Sequence, residues 1–194
     1  MTVDWEAVYQ REQAAGARPG WERTEANPAL LSWRGGGAMT PCRILVPCAG
    51  RSVEPALLAQ DGFDVTVLDN APSAIAAQQA VLPAGAWTVL ADLFAWEPAQ
   101  PFDAIYDQTA LCALPPDLLD GYVARLHRWL VPGGRLFALF MQTGREGGPP
   151  FDCPLDRMRG LFARHEWLWP DMLEVSVAHP TGMREQPAIL TRQP

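Results

Sequence analysis

No lysine occurs in the 194 residues, so all 15 basic side chains are arginine. That excludes a lysine Schiff base, a pyridoxal-phosphate lysine and the phosphate-loop lysine of nucleotide hydrolases. Cysteine is scarce: Cys42, Cys48, Cys112 and Cys153 form no C-x-x-C pair, so zinc-ribbon and thioredoxin chemistry are not expected. Three histidines are present, and His165 and His179 are too far apart for metal spacing; no metal is expected. No G-x-S-x-G element supports an esterase triad. No uninterrupted run of about 18 apolar residues predicts a membrane span. The segment MTVDWEAVYQREQ is polar and amphipathic and does not read as a secretion signal. Basic charge is in deficit, 15 against 22 acidic residues for a net charge of −7, which argues against nucleic acid as a partner. The expectation is a cytoplasmic, monomeric, single-domain protein acting on a small molecule. The prolines, arginines, alanines and glycines are those that GC-rich codons favour.

What is present is a strand and helix rhythm. Residues 1–41 form a lead segment with helical patches at Trp5–Gln13 and Asn27–Trp33, punctuated by Pro19-Gly20 and Gly35-Gly36-Gly37. The apolar run Arg43–Pro47 reads as a buried strand. A turn at Cys48-Ala49-Gly50-Arg51-Ser52 and a helix Val53–Gln60 follow. Asp64–Asp69, rich in β-branched residues, is a second strand, and Pro72 suits the first turn of a helix Ser73–Val81. Trp87–Leu90 and Phe102–Tyr106 repeat the pattern. Leu118, Leu119, Tyr122, Val123, Leu126, Trp129 and Leu130 recur at three- and four-residue steps, and Pro132-Gly133-Gly134 is expected to end their helix. Arg135–Met141 reads as a strand, Pro154–His165 as a helix, and Leu173–Ala178 and Pro187–Thr191 as late strands. The alternation implies a parallel sheet covered by helices on both faces, with its ligand beyond the carboxyl ends of the strands.

The first strand, turn and helix place Gly50 in a tight turn, and Asp69 ends the second strand. A small turn lets a nucleoside approach the backbone, and a carboxylate at that strand end accepts from ribose hydroxyls. A nicotinamide cofactor would call for G-x-G-x-x-G, and this turn holds one glycine. S-adenosylmethionine has no phosphate and needs no such cradle. Asp92 ends the third strand, where an acid accepts from an adenine amino group while Leu93 lies against the ring. An ordinary glycine turn, a solvated strand-end acid and a loop aspartate beside a buried leucine remain the plain alternatives.

Leu45-Val46-Pro47-Cys48-Ala49-Gly50-Arg51-Ser52-Val53-Glu54 and Asp64–Ala71 resemble motifs of the thiopurine S-methyltransferase family and are similar to the plant thiol/halide methyltransferases. Gly20-Trp21-Glu22 with Asn27-Pro28-Ala29-Leu30 resembles the family's lead segment, which closes over the cofactor. Asp107–Pro116 and Gly147-Gly148-Pro149-Pro150-Phe151 resemble its loops after the fourth and fifth strands. The resemblance covers most of the chain, in order. It implies an α/β class I methyltransferase fold, a Rossmann-like sandwich with a seven-stranded, mostly parallel sheet whose last strand is antiparallel. It also implies S-adenosyl-L-methionine and a small, soft methyl acceptor, a thiol before a halide or a selenium or tellurium oxyanion.

Carried over by residue, the resemblance puts Trp5, Tyr9 and Trp21 around the cofactor, and Cys48 and Gly50 under its methionine part. Asp69 holds the ribose, Asn70 beside it also binds the cofactor, and Asp92 with Leu93 holds the adenine. Gln108 borders cofactor and acceptor; Trp21 and Phe151 join it on the acceptor side. Two positions depart: Cys48 is shifted by one place, and Gln108 stands where relatives carry Arg or Tyr. Asp107 is the nearest candidate for a general base, against the alternative of a carboxylate bonded to cofactor or backbone. A nicotinamide-dependent reductase and a non-catalytic methyltransferase-like binding domain are the other classes weighed.

Overall fold

The computed structural model describes residues 3–194; Met1 and Thr2, the start of the expected lead segment, lie outside the described residues. The chain divides into two compact units, Met1–Ala95 and Trp96–Pro194.

The first unit is built on β1 (Arg43–Pro47), β2 (Asp64–Asp69) and β3 (Trp87–Leu90), all parallel, with β1 and β3 on either side of β2. Ile44, Leu45, Val65, Val67 and Leu68 are buried, as near-continuous apolar runs in a parallel sheet should be. Four helices accompany these strands: α1 (Trp5–Ala14), α2 (Pro28–Gly35), α3 (Glu54–Gln60) and α4 (Pro72–Val81). Asp4 caps α1 by accepting from the Ala7 N–H at 3.0 Å, and Asn27 caps α2 through Ala29 at 2.9 Å. Pro28, Pro55 and Pro72 sit in first turns, where a missing N–H costs nothing. Leu30 and Trp33 of α2 are buried, so the second half of the lead segment is part of the core.

The second unit opens with β4 (Phe102–Asp107). A short α5 (Ala110–Ala113), a 3-10 turn at Pro116–Leu118 and α6 (Leu119–Trp129) lead to β5 (Leu130–Gln142), parallel to β4. Then come α7 (Leu155–Leu161), two-residue strands β6 (Trp167–Leu168) and β7 (Val177–Ala178), and β8 (Arg184–Arg192). The final strand β8 runs antiparallel to β5, as expected, and to β6 and β7. Leu119, Tyr122, Val123, Leu126 and Trp129 form the buried stripe of α6, as the spacing predicts.

Three expectations need correction. Pro132-Gly133-Gly134 does not separate helix from strand; it lies inside β5, where the register shifts between Phe102 and Ala104 of β4. Gly133 has φ +80°, and a Cβ on Gly134 would come within 2.8 Å of the Val131 carbonyl, so the triplet makes an irregular strand that larger residues could not follow. The helix expected over Pro154–His165 stops at Leu161, because Phe162 leaves helical geometry (ψ 67°) to enter an aromatic cluster with Phe140, Trp167 and Trp169. The strand expected over Leu173–Ala178 shrinks to its last two residues, and Met172 and Val175 are exposed. Among the described residues no helix is long and apolar enough to cross a membrane.

Candidate cofactor site

At the carboxyl end of β1 the chain turns sharply. Cys48 (φ +49°) and Gly50 (φ +54°) both adopt left-handed backbone, and the Cys48 N–H donates to Leu68 O at 2.7 Å. A non-glycine residue there is strained, and Cys48 is the only such residue among those described. Gly50 has a second constraint: a Cβ would sit 2.5 Å from the Tyr9 hydroxyl. The Tyr9 hydroxyl therefore packs directly on the Gly50 backbone, where any side chain would collide with it.

Asp69 ends β2 facing this turn. Its Oδ2 accepts from the Gly50 N–H at 2.8 Å and its Oδ1 from the Ala71 N–H at 2.9 Å. Burial raises its pKa above the usual carboxylate value, and the N–H groups of Ala71, Gly50 and Asn70 hold the rise back. Oriented this way, the carboxylate keeps lone pairs for an added donor such as a ribose hydroxyl. Asp92 follows β3, exposed, with its Oδ1 accepting from Phe94 N–H at 2.6 Å; Leu93 beside it is buried.

The lead segment closes on the same turn. Tyr9 packs with Ala71 and Ala74, and Trp5 and Trp21 pack against this group, edge-to-face with each other at 5.6 Å between ring centres. Glu6 accepts from both the Ser73 N–H (2.8 Å) and its hydroxyl (2.7 Å), which ties α1 to the first turn of α4. Burial, and next the Asp69 charge, push the Tyr9 phenol up, so it stays a neutral O–H donor. Thus Trp5, Tyr9, Trp21, Cys48, Gly50, Asp69, Asn70, Asp92 and Leu93 all fall in the first unit, and the first seven gather about the Gly50 turn and the end of β2.

Sequence reasoning missed residues that hold this turn. Gln78 of α4, 1% exposed, donates from Nε2 to the carbonyls of Gly50 and Ser52, both at 2.9 Å. The signal was there: an amide on the apolar face shared by Ala74 and Ile75. Glu54, equally buried, accepts from the Asn27 N–H at 2.6 Å and the Ser52 hydroxyl at 3.1 Å. Arg51 pairs with Glu22 at 2.6 Å and lies over the Tyr9 ring at 4.9 Å.

In the second unit, Asp107 ends β4 and is fully buried. Its Oδ2 accepts from the Tyr122 hydroxyl at 2.6 Å, and its Oδ1 from the Leu111 N–H at 3.3 Å. Burial lifts its pKa to about 6. A general base must reach the proton it removes. This carboxylate accepts from Tyr122 and from the N–H of Leu111 in α5, contacts that hold the turn carrying Gln108. Gln108 itself is half-buried just past it. Phe151 is fixed by its N–H to Cys112 O at 2.7 Å, and its ring lies 2.6 Å from where a Gly148 Cβ would stand. Burial raises the thiol pKa of Cys112, and that of Cys153 to about 12, so neither supplies a thiolate. Trp167 and Trp169 are core residues.

Residues 2–191 match the sequence model of the family described as thiopurine S-methyltransferase. The chain belongs to the thiopurine S-methyltransferase family. Relatives include a probable thiol methyltransferase 2 of Arabidopsis thaliana, 32% identical over 78% of this chain and 70% of that protein. A thiopurine S-methyltransferase of Stutzerimonas stutzeri is 31% identical over 80% of this chain and 73% of its own. Among solved structures, a Burkholderia thailandensis 1,6-didemethyltoxoflavin-N1-methyltransferase with bound S-adenosylhomocysteine aligns at TM-score 0.67. It shares 20% identity over 98% of this chain and 83% of that one. A structure reported for conversion of a disulfide bond into a thioacetal group during echinomycin biosynthesis aligns at 0.76, with 22% identity over 97% and 91%. The fold is the α/β, Rossmann-like fold of class I methyltransferases, and the chain is an S-adenosylmethionine-dependent methyltransferase. Its residues fit that cofactor: Asp69 stands at the end of β2 with its carboxylate oriented by the Gly50 and Ala71 N–H groups and lone pairs left for hydroxyl donors.

Proposed function

We propose that this enzyme moves the methyl group of S-adenosylmethionine to the sulfur of a small thiol. The observation that carries it is the Gly50–Asp69 pair at the carboxyl ends of β1 and β2, on a chain matching this family over nearly its whole length. In this reading Asp69 accepts from the ribose hydroxyls, Asp92 from the adenine amino group, and Leu93 supports the ring. Cys48 and Gly50 lie beneath the methionine part. Trp5, Tyr9 and Trp21 cover it and exclude water.

The bound cofactor supplies an electrophilic methyl on a sulfonium. Displacement by a thiolate neutralises charge, so a dry site favours it. The protein's contribution is in-line alignment of the two sulfurs and the methyl at near-contact distance. No general base is assigned, because a thiolate is partly available near neutral pH. Gln108 meets the acceptor and, being neutral, anchors anions less strongly than an arginine would. Phe151 supplies an apolar wall. The low, unpatterned cysteine content supports a cytoplasmic location, and the enzyme is proposed to act as a monomer.

An acceptor panel tests this. Release of S-adenosylhomocysteine should be seen with aliphatic or aromatic thiols. Turnover with iodide, selenite or tellurite alone would replace the thiol by those acceptors. Binding of NADH without S-adenosylhomocysteine binding would overturn the reading.

A further inference from the structure

Arg51 follows Gly50 directly and is placed by two contacts. Its Nε donates to Glu22 Oε1 at 2.6 Å, and its guanidinium carbon lies 4.9 Å from the centre of the Tyr9 ring. Both partners come from the lead segment. Four-fifths of the Arg51 side chain is buried, at 21% exposed, and Glu22 is more buried still at 11%. Yet the Arg51 Nη2 atom is shut off from solvent and meets no acceptor among the described residues.

That arrangement is costly. A buried, charged donor without a partner forfeits hydration and receives nothing for it. Glu22 answers one nitrogen only, and the Tyr9 face offers attraction but no lone pair for Nη2. The position is also particular. Asp69, Glu22, Arg51 and Cys48 all act electrostatically on the Tyr9 hydroxyl, and that hydroxyl stands over Gly50. Asp69 holds the Gly50 N–H, so one side of the turn carries an acceptor suited to hydroxyl groups and the adjoining residue carries an orphaned cation. A ligand with neutral hydroxyls at one end and a carboxylate at the other matches both.

We infer that Arg51 binds the α-carboxylate at the amino-acid end of S-adenosylmethionine through Nη2, and that Glu22 positions it by holding Nε. The inference rests on the proposed placement of the cofactor over Gly50. It adds a cation as the specificity residue for the amino-acid end. Because Glu22 belongs to the lead segment, the same pair couples closure of that segment to the presence of the carboxylate. Arginine suits the task, since its planar fork serves two acceptors in fixed directions.

The test is calorimetry with three ligands, which needs no turnover. S-adenosylhomocysteine carries the α-amino acid, its carboxamide lacks the negative charge, and 5′-methylthioadenosine lacks the whole end. In Arg51→Met, the dissociation constant for S-adenosylhomocysteine should rise at least about tenfold, while 5′-methylthioadenosine binding stays within about twofold. The unaltered protein should lose a comparable factor on going to the carboxamide, and that loss should vanish in Arg51→Met. Arg51→Lys, which keeps the charge, should fall between. Equal weakening of all three ligands in Arg51→Met would make Arg51 a prop for the turn and overturn the inference. So would carboxamide and acid binding the unaltered protein alike. An unaltered protein that binds none of the three would instead remove the cofactor placement itself.

Discussion

At the residue scale, two buried carboxylates at strand ends have different surroundings and different expected behaviour. Asp69 is held by backbone N–H groups that favour its charged form against burial, and it remains an acceptor beside the Gly50 turn. Asp69→Ala should weaken S-adenosylhomocysteine binding by roughly 1.5–3 kcal/mol, the worth of hydrogen bonds to a charged group. A calorimetric titration with an unchanged dissociation constant would remove the ribose role. Asp107 is shifted upward by burial as well, to about 6. Its folded pKa of about 6 lies above the usual aspartate value near 3.9, so between those pH values the native chain keeps a proton that the unfolded chain has lost. Stability from this group is therefore greatest below about pH 4 and falls as pH rises to about 6. Tyr122→Phe removes the hydrogen bond that restrains the rise, leaves Oδ2 without its donor, and should cost about 1–3 kcal/mol. The melting-temperature profile of that variant should continue to fall above pH 6, where the parent levels off. A uniform drop at every pH would show that only packing was lost.

At the scale of elements, α1 is the piece whose attachment can be loosened alone. It carries one buried side chain, Tyr9, and is tied by the Glu6–Ser73 bonds, whereas α2 adds Leu30 and Trp33 to the core. Removing residues 1–20 should leave a cooperatively folding protein with little turnover, and hydrogen exchange in α1 should slow when S-adenosylhomocysteine binds. Equal protection of α1 with and without ligand would make it fixed scaffold. The same elements show what could be read in advance. β1, β2, β4 and the stripe of α6 were legible because continuous apolar runs and three- and four-residue spacing dictate them. The β5 irregularity was not, because Pro132-Gly133-Gly134 has the composition of a helix stop, and only the approach of Gly134 to the Val131 and Asp103 carbonyls puts it in a strand. In the site, Gly50 and Asp69 were legible from the turn and strand end. Glu54 and Arg51 were not, because the partners that fix them lie 27 and 29 positions away; Gln78 was marked only by its place on the apolar face of α4, and its partners 26 and 28 positions away were not.

For the whole molecule, the net charge of −7 bears on which acceptors arrive. An acidic protein repels anionic small molecules over about one Debye length, roughly 10 Å at 0.1 M salt, and added salt removes that repulsion. On the proposed placement of Gln108 beside the acceptor, its amide, standing in place of a cation, would act in the same direction at close range. Neutral, apolar thiols should therefore outcompete carboxylate-bearing ones in kcat/KM. The two causes separate by their salt dependence. Raising ionic strength should bring the carboxylate-bearing thiols closer to the neutral ones by relieving the long-range part, and the remaining gap belongs to the site. Gln108→Arg should close that remaining gap, chiefly by lowering KM for the anionic thiols and leaving the neutral ones near their parent values. If the substitution instead changes KM for charged and neutral thiols by one common factor, Gln108 touches only the cofactor, and acceptor choice is set elsewhere.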